Sequence, residues 1–135
     1  MSEKEPAHME PLPHDHGQHT HEVLEQMPTP DSFAKVSDTF SLLSDSTRLR
    51  ILWLLCHSEE CVYNIAAAIG MSAPAVSHHL RALRQSGLIV NRRIGKEIHY
   101  TLAGTPEAEL VHRMVDDIFQ IQCPRRHWHQ EKAQS

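Results

Sequence analysis

At 135 residues and a formal charge of −4 at pH 7, the chain has room for one compact domain with tails. Its longest apolar run, Ile51–Cys56, is far short of the roughly 20 residues that cross a bilayer, and its acidic, His-rich start has no basic-then-apolar leader pattern. Three cysteines, Cys56, Cys61 and Cys123, stand in no framework spacing, which fits a reducing compartment and a cytoplasmic protein rather than a disulfide scaffold.

Residues 1–30 carry five prolines and five histidines with little apolar content, and read as a mobile His-rich arm with a short helical piece at Glu22–Gln26. A domain over residues 31–122 and a tail over 123–135 follow. Asp31 is placed to cap a helix running to Leu43, with Phe33, Val36, Phe40 and Leu43 on one face. Asp45 or Ser46 caps the next, Thr47 to His57. Its Leu49–Cys56 stretch is apolar nearly all round, which marks a central core helix.

The stretch from Cys61 to Leu102 has the pattern of a helix-turn-helix followed by a two-stranded wing. Asn64–Ile69 forms a first helix, and Gly70 supplies a left-handed turn to end it. Ser72 caps a second helix that tolerates Pro74 in its first turn. Val76, Leu80 and Leu83 give that helix a buried edge, while Ser77, His78, Arg81 and Arg84 share the other side. Such a helix suits a DNA major groove, with Ser72 and Ala73 at its leading end. Leu88–Arg93 and Glu97–Leu102 alternate as strands around a tip at Ile94–Lys96, which gathers Arg92, Arg93 and Lys96 within reach of phosphates or a minor groove.

Division by region removes the objection that an acidic chain should avoid nucleic acid. Residues 72–100 hold Arg81, Arg84, Arg92, Arg93 and Lys96 against Glu97 alone, a local charge of +4. The expected partner is double-stranded DNA, held with strong salt dependence. After the wing, Thr105-Pro106-Glu107 is a helix start, and the helix extends to about Gln122. Leu110, Met114, Ile118 and Ile121 form a stripe on it, widened by Val111, Val115 and Phe119. So broad a stripe on a terminal helix calls for a partner helix, most simply from a second copy. A two-fold homodimer would also present two recognition helices to a palindromic site. The fold class is therefore mainly α with a β-hairpin wing: a winged helix-turn-helix, paired through terminal helices.

Asp45–Leu52, Glu60–Ala66, Ser77–Arg84 with Gly87-Leu88-Ile89, and Arg93–Tyr100 together resemble the ArsR/SmtB family over about residues 33–120. The resemblance implies a homodimeric winged-helix repressor. It would bind an inverted repeat in a promoter and leave when a metal ion, metalloid or reactive sulfur species binds, controlling efflux or sequestration genes. The family's two usual metal sites are altered here. Where one site uses Cys-Val-Cys-Asp, this chain has Cys61-Val62-Tyr63-Asn64. The positions matching the other are Gly104, Pro106, Asp117 and Gln120, of which only Asp117 could ligate.

Other residues could compensate. His14, His16, His19 and His21 of the arm suit zinc, nickel or cobalt, and the family's habits place Cys61 with them. Glu109, His112 and Asp116, three and four apart, share one face of the last helix. Cys123, His127 and His129 form a third group in the tail. The expected regulatory ligand is Zn2+, with Ni2+ or Co2+ behind it. No small organic substrate or membrane partner is expected. His14-Asp-His-Gly-Gln-His19 imitates a hydrolase-like start, but no large α/β scaffold exists to complete it, so an enzyme is not expected.

Two other readings stay open at this point. One is a thiol-responsive or reactive-sulfur-responsive repressor of the same fold, which needs two cysteines to approach within about 7 Å between Cα atoms. The other is a metal-buffering module with vestigial DNA binding, against which the complete basic helix and wing argue.

Overall fold

The computed structural model describes residues 11–123. They form two compact units, 11–41 and 42–123. The tail histidines His127 and His129 lie outside the described residues.

In the first unit, α1 (Thr20–Glu25) is a single exposed turn and a half, two residues earlier than the sequence predicts. Helix α2 (Pro30–Leu43) starts two residues earlier than a cap at Asp31 would place it. Its cap is Thr29 rather than Asp31, because the Thr29 hydroxyl accepts the Ser32 N–H at 3.2 Å. Pro30, with no N–H to lose and φ already helical, occupies the first position. Asp31 instead places an acid in the first turn. Phe33, Val36 and Phe40 are all exposed along this helix.

The second unit contains α3 (Ser46–His57), β1 (Glu60–Cys61), α4 (Val62–Ile69), α5 (Ala73–Gln85), β2 (Ile89–Ile94), β3 (Glu97–Leu102) and α6 (Pro106–Gln122). Asp45 settles the capping choice for α3 by accepting the Arg48 N–H at 2.9 Å. Ser72 and Thr105 cap α5 and α6 in the same way, at 3.3 and 3.2 Å. Gly70, at φ +80°, turns the chain from α4 toward α5 and donates to the Ala66 carbonyl at 2.8 Å. A side chain there would meet nothing within 4 Å, so the demand for glycine comes from the backbone angle and not from space.

The core gathers one face from every helix of this unit. Ile51, Leu52 and Leu55 of α3, Ile65 of α4, Leu80 and Leu83 of α5, and Leu88 with Ile89 are essentially inaccessible. Each such aliphatic side chain contributes about 1.5–3 kcal/mol through removal from water. Ala108, Val111 and Val115 turn the inner face of α6 to the same core. Its outer row, with Leu110, Ile118 and Ile121, stays exposed. The apolar stripe thus divides into a face used inside the chain and a face left over.

The sheet differs from the two-stranded wing that the sequence predicts. Strands β2 and β3 form the hairpin, with Ile94 opposite Glu97 and only Gly95-Lys96 between them. Gly95 has φ +64°, as a two-residue hairpin loop requires. Strand β1 then joins the other edge of β3, pairing Glu60 with Tyr100 and Cys61 with His99. Two residues are too few to show alternation, so only the tertiary pairing reveals β1. No helix among the described residues is long and apolar enough to cross a membrane.

Candidate nucleic-acid interface and metal cluster

The candidate recognition surface lies on α5, a helix with two opposed edges. Val76, Leu80 and Leu83 are buried, and His78, Arg81 and Arg84 are exposed, with Ser77 between. Ser72 and Ala73 sit where the helix begins. Ser77, Arg81 and Arg84 line a cavity of ≈ 260 Å³ with Leu80 and with Tyr100 of β3, so helix and sheet share one concave surface. Arg81, Arg84 and Lys96 form no hydrogen bond or ion pair with any described residue. Their charge is available to an anionic partner, as phosphate contacts require.

The two wing arginines are engaged differently. Arg92 Nε and Nη2 each donate to a Glu59 carboxylate oxygen at 2.7 Å. That bond holds the Glu59 carboxyl below its ordinary range and raises Arg92. Arg93 Nε donates to the Gly95 carbonyl at 3.2 Å, which folds its guanidinium back over the tip. Sequence patterning places both as equivalent tip charges. The structure makes Arg92 a brace between the wing and the end of α3.

Helix α5 is tied to α3 by a second polar link. Arg48 Nε donates to His79 Nδ1 at 3.2 Å, and Arg48 also reaches the Leu42 carbonyl at 3.5 Å. Partial burial lowers the His79 pKa below its ordinary value; nearby Asp45 opposes the shift, while Arg48 adds to it. The neutral imidazole is the form that can accept from a guanidinium.

A distinct cluster forms where α3 ends beside α6. One ligand atom each from His57, His112 and Asp116 lies within 4.8 Å of the others. Asp116 Oδ2 is 2.9 Å from His112 Nε2 and 3.7 Å from His57 Nε2. The two imidazoles meet edge to face, with centroids 5.0 Å apart. Of the expected helix-face residues, His112 and Asp116 are in the cluster. Glu109 stands at its margin, 4.0 Å from His112 Nδ1. His57 is a member that sequence reasoning misses, since it belongs to another helix and no local spacing connects it to His112.

The other expected ligands do not join a group of three among the described residues. His14 and His16 stack at 5.8 Å, and His19 Nδ1 lies 3.3 Å from Glu22. Cys61 is only 3% exposed in β1, whereas Tyr63, two residues on, is exposed. Asn64 is engaged with Glu60 at 2.7 Å. Cys56 is partly buried, and desolvation followed by the charges of Asp116 and Glu109 pushes its thiol up to about 12. Only Cys123 is an exposed thiol, and no disulfide is present among the described residues.

A basic, capped helix beside a charged hairpin defines a winged helix-turn-helix DNA-binding protein. Residues 45–90 match the pattern of the bacterial regulatory protein arsR family. The chain is 34% identical over 103 residues to a transcriptional repressor SmtB homolog of Synechocystis sp., covering 76% of this chain and 78% of that one. It is 42% identical over 73 residues to the arsenical resistance operon repressor of Escherichia coli, covering 53% and 62%. Among solved structures, it is similar to the homodimeric winged helix-turn-helix domain Mb0332 of Mycobacterium bovis. There the TM-score is 0.61 at 30% identity, covering 69% of this chain and 85% of that one. The chain belongs to the ArsR family, and is a DNA-binding transcriptional regulator and not an enzyme.

Proposed function

We propose that this chain is a homodimeric repressor that binds an inverted-repeat operator and is released from it by a divalent metal ion. Zinc is the first candidate, with nickel or cobalt behind it. The observation that carries the reading is the presence, in one small unit, of a DNA-reading helix and of imidazole and carboxylate atoms grouped within ligand range. Ser72, Ala73, Ser77, His78, Arg81, Arg84, Arg93 and Lys96 face the DNA, and Arg92 orients the wing. A relative named for an arsenical resistance operon supports an inorganic inducer. The exposed row Leu110, Ile118 and Ile121 on α6 supports pairing with a second copy, as in the homodimeric neighbour.

Release follows from linkage. Metal shifts the equilibrium only if it binds the DNA-incompetent arrangement more tightly than the competent one. A coupling of about 1–3 kcal/mol changes operator affinity roughly 5–150-fold. The arm histidines and Cys61 remain the rival ligand set to the α6 residues, in a chain read as an arm over 1–30, a DNA-binding and dimerisation domain over 31–122 and a tail over 123–135. Fluorescence anisotropy on the chain's own promoter fragment tests the reading, first metal-free and then with zinc, nickel and cobalt. Tight metal-free binding released by one ion is expected. Binding indifferent to all three would transfer the case to a thiol inducer, and no salt-sensitive binding would favour a metal-buffering module.

A further inference from the structure

The geometry points to a metal site contained within one chain, in which His57, His112 and Asp116 clamp the end of α3 to the middle of α6. His57 Nδ1 lies 2.8 Å from the Trp53 carbonyl oxygen. Only an N–H can make that bond, so in the neutral ring Nε2 carries the lone pair, and Nε2 is the atom turned toward Asp116. Metal-bound imidazoles are commonly fixed in this way, one nitrogen on the ion and the other donating to a carbonyl or carboxylate. His112 turns Nε2 toward the cluster, and its Nδ1 lies 4.0 Å from Glu109, beyond hydrogen-bond range.

The cluster is unsatisfied as a hydrogen-bonded group. His112 Nε2 is buried and, although 2.9 Å from Asp116 Oδ2, has no hydrogen-bond partner because the carboxylate lies off the N–H direction. The His57 contact at 3.7 Å is too long for a hydrogen bond. When both rings are neutral with the proton on Nδ1, three electron-rich atoms converge with nothing positive between them. A cation resolves that conflict. In a tetrahedral zinc site the donors sit about 2.0–2.1 Å from the ion and so about 3.3 Å from each other. The donor atoms here lie within 4.8 Å of one another, with Asp116 Oδ2 2.9 Å from His112 Nε2 and 3.7 Å from His57 Nε2.

The side chains are neither free surface groups nor sealed ones, with relative exposures of 25%, 24% and 34% for His57, His112 and Asp116. His57 and Asp116 also border a cavity of ≈ 530 Å³ with Trp53, Phe119 and Cys123, which provides a way in and room for a further ligand. Two imidazoles and one carboxylate suit zinc, cobalt or nickel, whereas a set without thiolate does not suit arsenite. The regulatory use of this site rests on the repressor reading above, but its existence does not. Metal here would fix α3 against α6, and α3 carries the Arg48 link to the recognition helix.

Cobalt titration of the metal-free full chain tests the site, followed by its visible d–d absorption and by the shifted imidazole N–H proton resonances. One cobalt per chain, with two imidazole N–H signals, is expected. His57→Gln and Asp116→Asn, on separate helices, should each weaken binding at least tenfold, while alanine at His14, His16, His19 and His21 together leaves it unchanged. Metal-free operator binding by each variant confirms that it folds. Wild-type affinity in either folded cluster variant, loss of the spectrum in the arm variant, or no uptake by the native chain would each overturn the site. Cobalt bound as described with operator affinity unchanged would leave the site standing and refute metal release.

Discussion

Glu59 holds Arg92 through two parallel hydrogen bonds of 2.7 Å, joining the turn after α3 to the wing. A charge engaged in this way cannot release a full DNA counterion without giving up its carboxylate. Each phosphate neutralised contributes about 0.9 to the slope of log affinity against log salt. Arg81→Ala should therefore reduce that slope by about 1, and Arg92→Ala should change it much less. Glu59→Ala should steepen it by freeing Arg92. Equal slopes for the Arg81 and Arg92 variants would show that the ion pair opens on DNA.

His79 makes stability depend on pH in a defined direction. Its folded pKa is lowered from the ordinary 6.5, so the unfolded chain binds more protons in that interval. The contribution is complete above pH 6.5 and is lost as pH falls through the lower folded value. Protonation removes the acceptor for Arg48 Nε and places two cations together. Urea midpoints measured from pH 7.5 to 5 should fall, and His79→Gln should flatten the profile. A variant profile parallel to wild type would assign the change to other histidines.

Opposite edges of α5 should answer differently to truncation. Leu80 is 1% exposed in the core, so Leu80→Ala should cost about 2–5 kcal/mol of unfolding free energy. Arg84, exposed and without a partner among the described residues, should change stability by less than about 0.5 kcal/mol when replaced by alanine. It should nevertheless weaken operator binding. Denaturant unfolding and anisotropy on the same two variants separate the roles, and a stability loss at Arg84 matching that at Leu80 would contradict the assignment.

The thiols should react unequally. Cys123 is exposed, Cys61 is buried, and Cys56 is partly buried with its pKa pushed up to about 12. Thiolate is the reactive form, so native protein at pH 8 should take up iodoacetamide at Cys123 first. All three should react once the chain is unfolded. Rapid native labelling of Cys56, or loss of operator binding on mild oxidation, would revive the thiol-responsive alternative.

Much of the fold is a local matter and therefore visible in the sequence. Asp45, Ser72 and Thr105 cap helices because each carries a short side-chain acceptor before an apolar repeat. Gly70 ends α4 because its backbone angle is one few other residues adopt. The division of α5 into a buried and a basic edge follows from helical period alone. Tertiary packing decided the rest. It paired Cys61 with His99 to add β1, set Glu59 against Arg92, and brought His57 to His112 and Asp116. Periodicity specifies which face of an element is apolar, but not which side chains of two elements meet at its edge. That depends on the register and crossing of packed helices, which only the assembled core establishes.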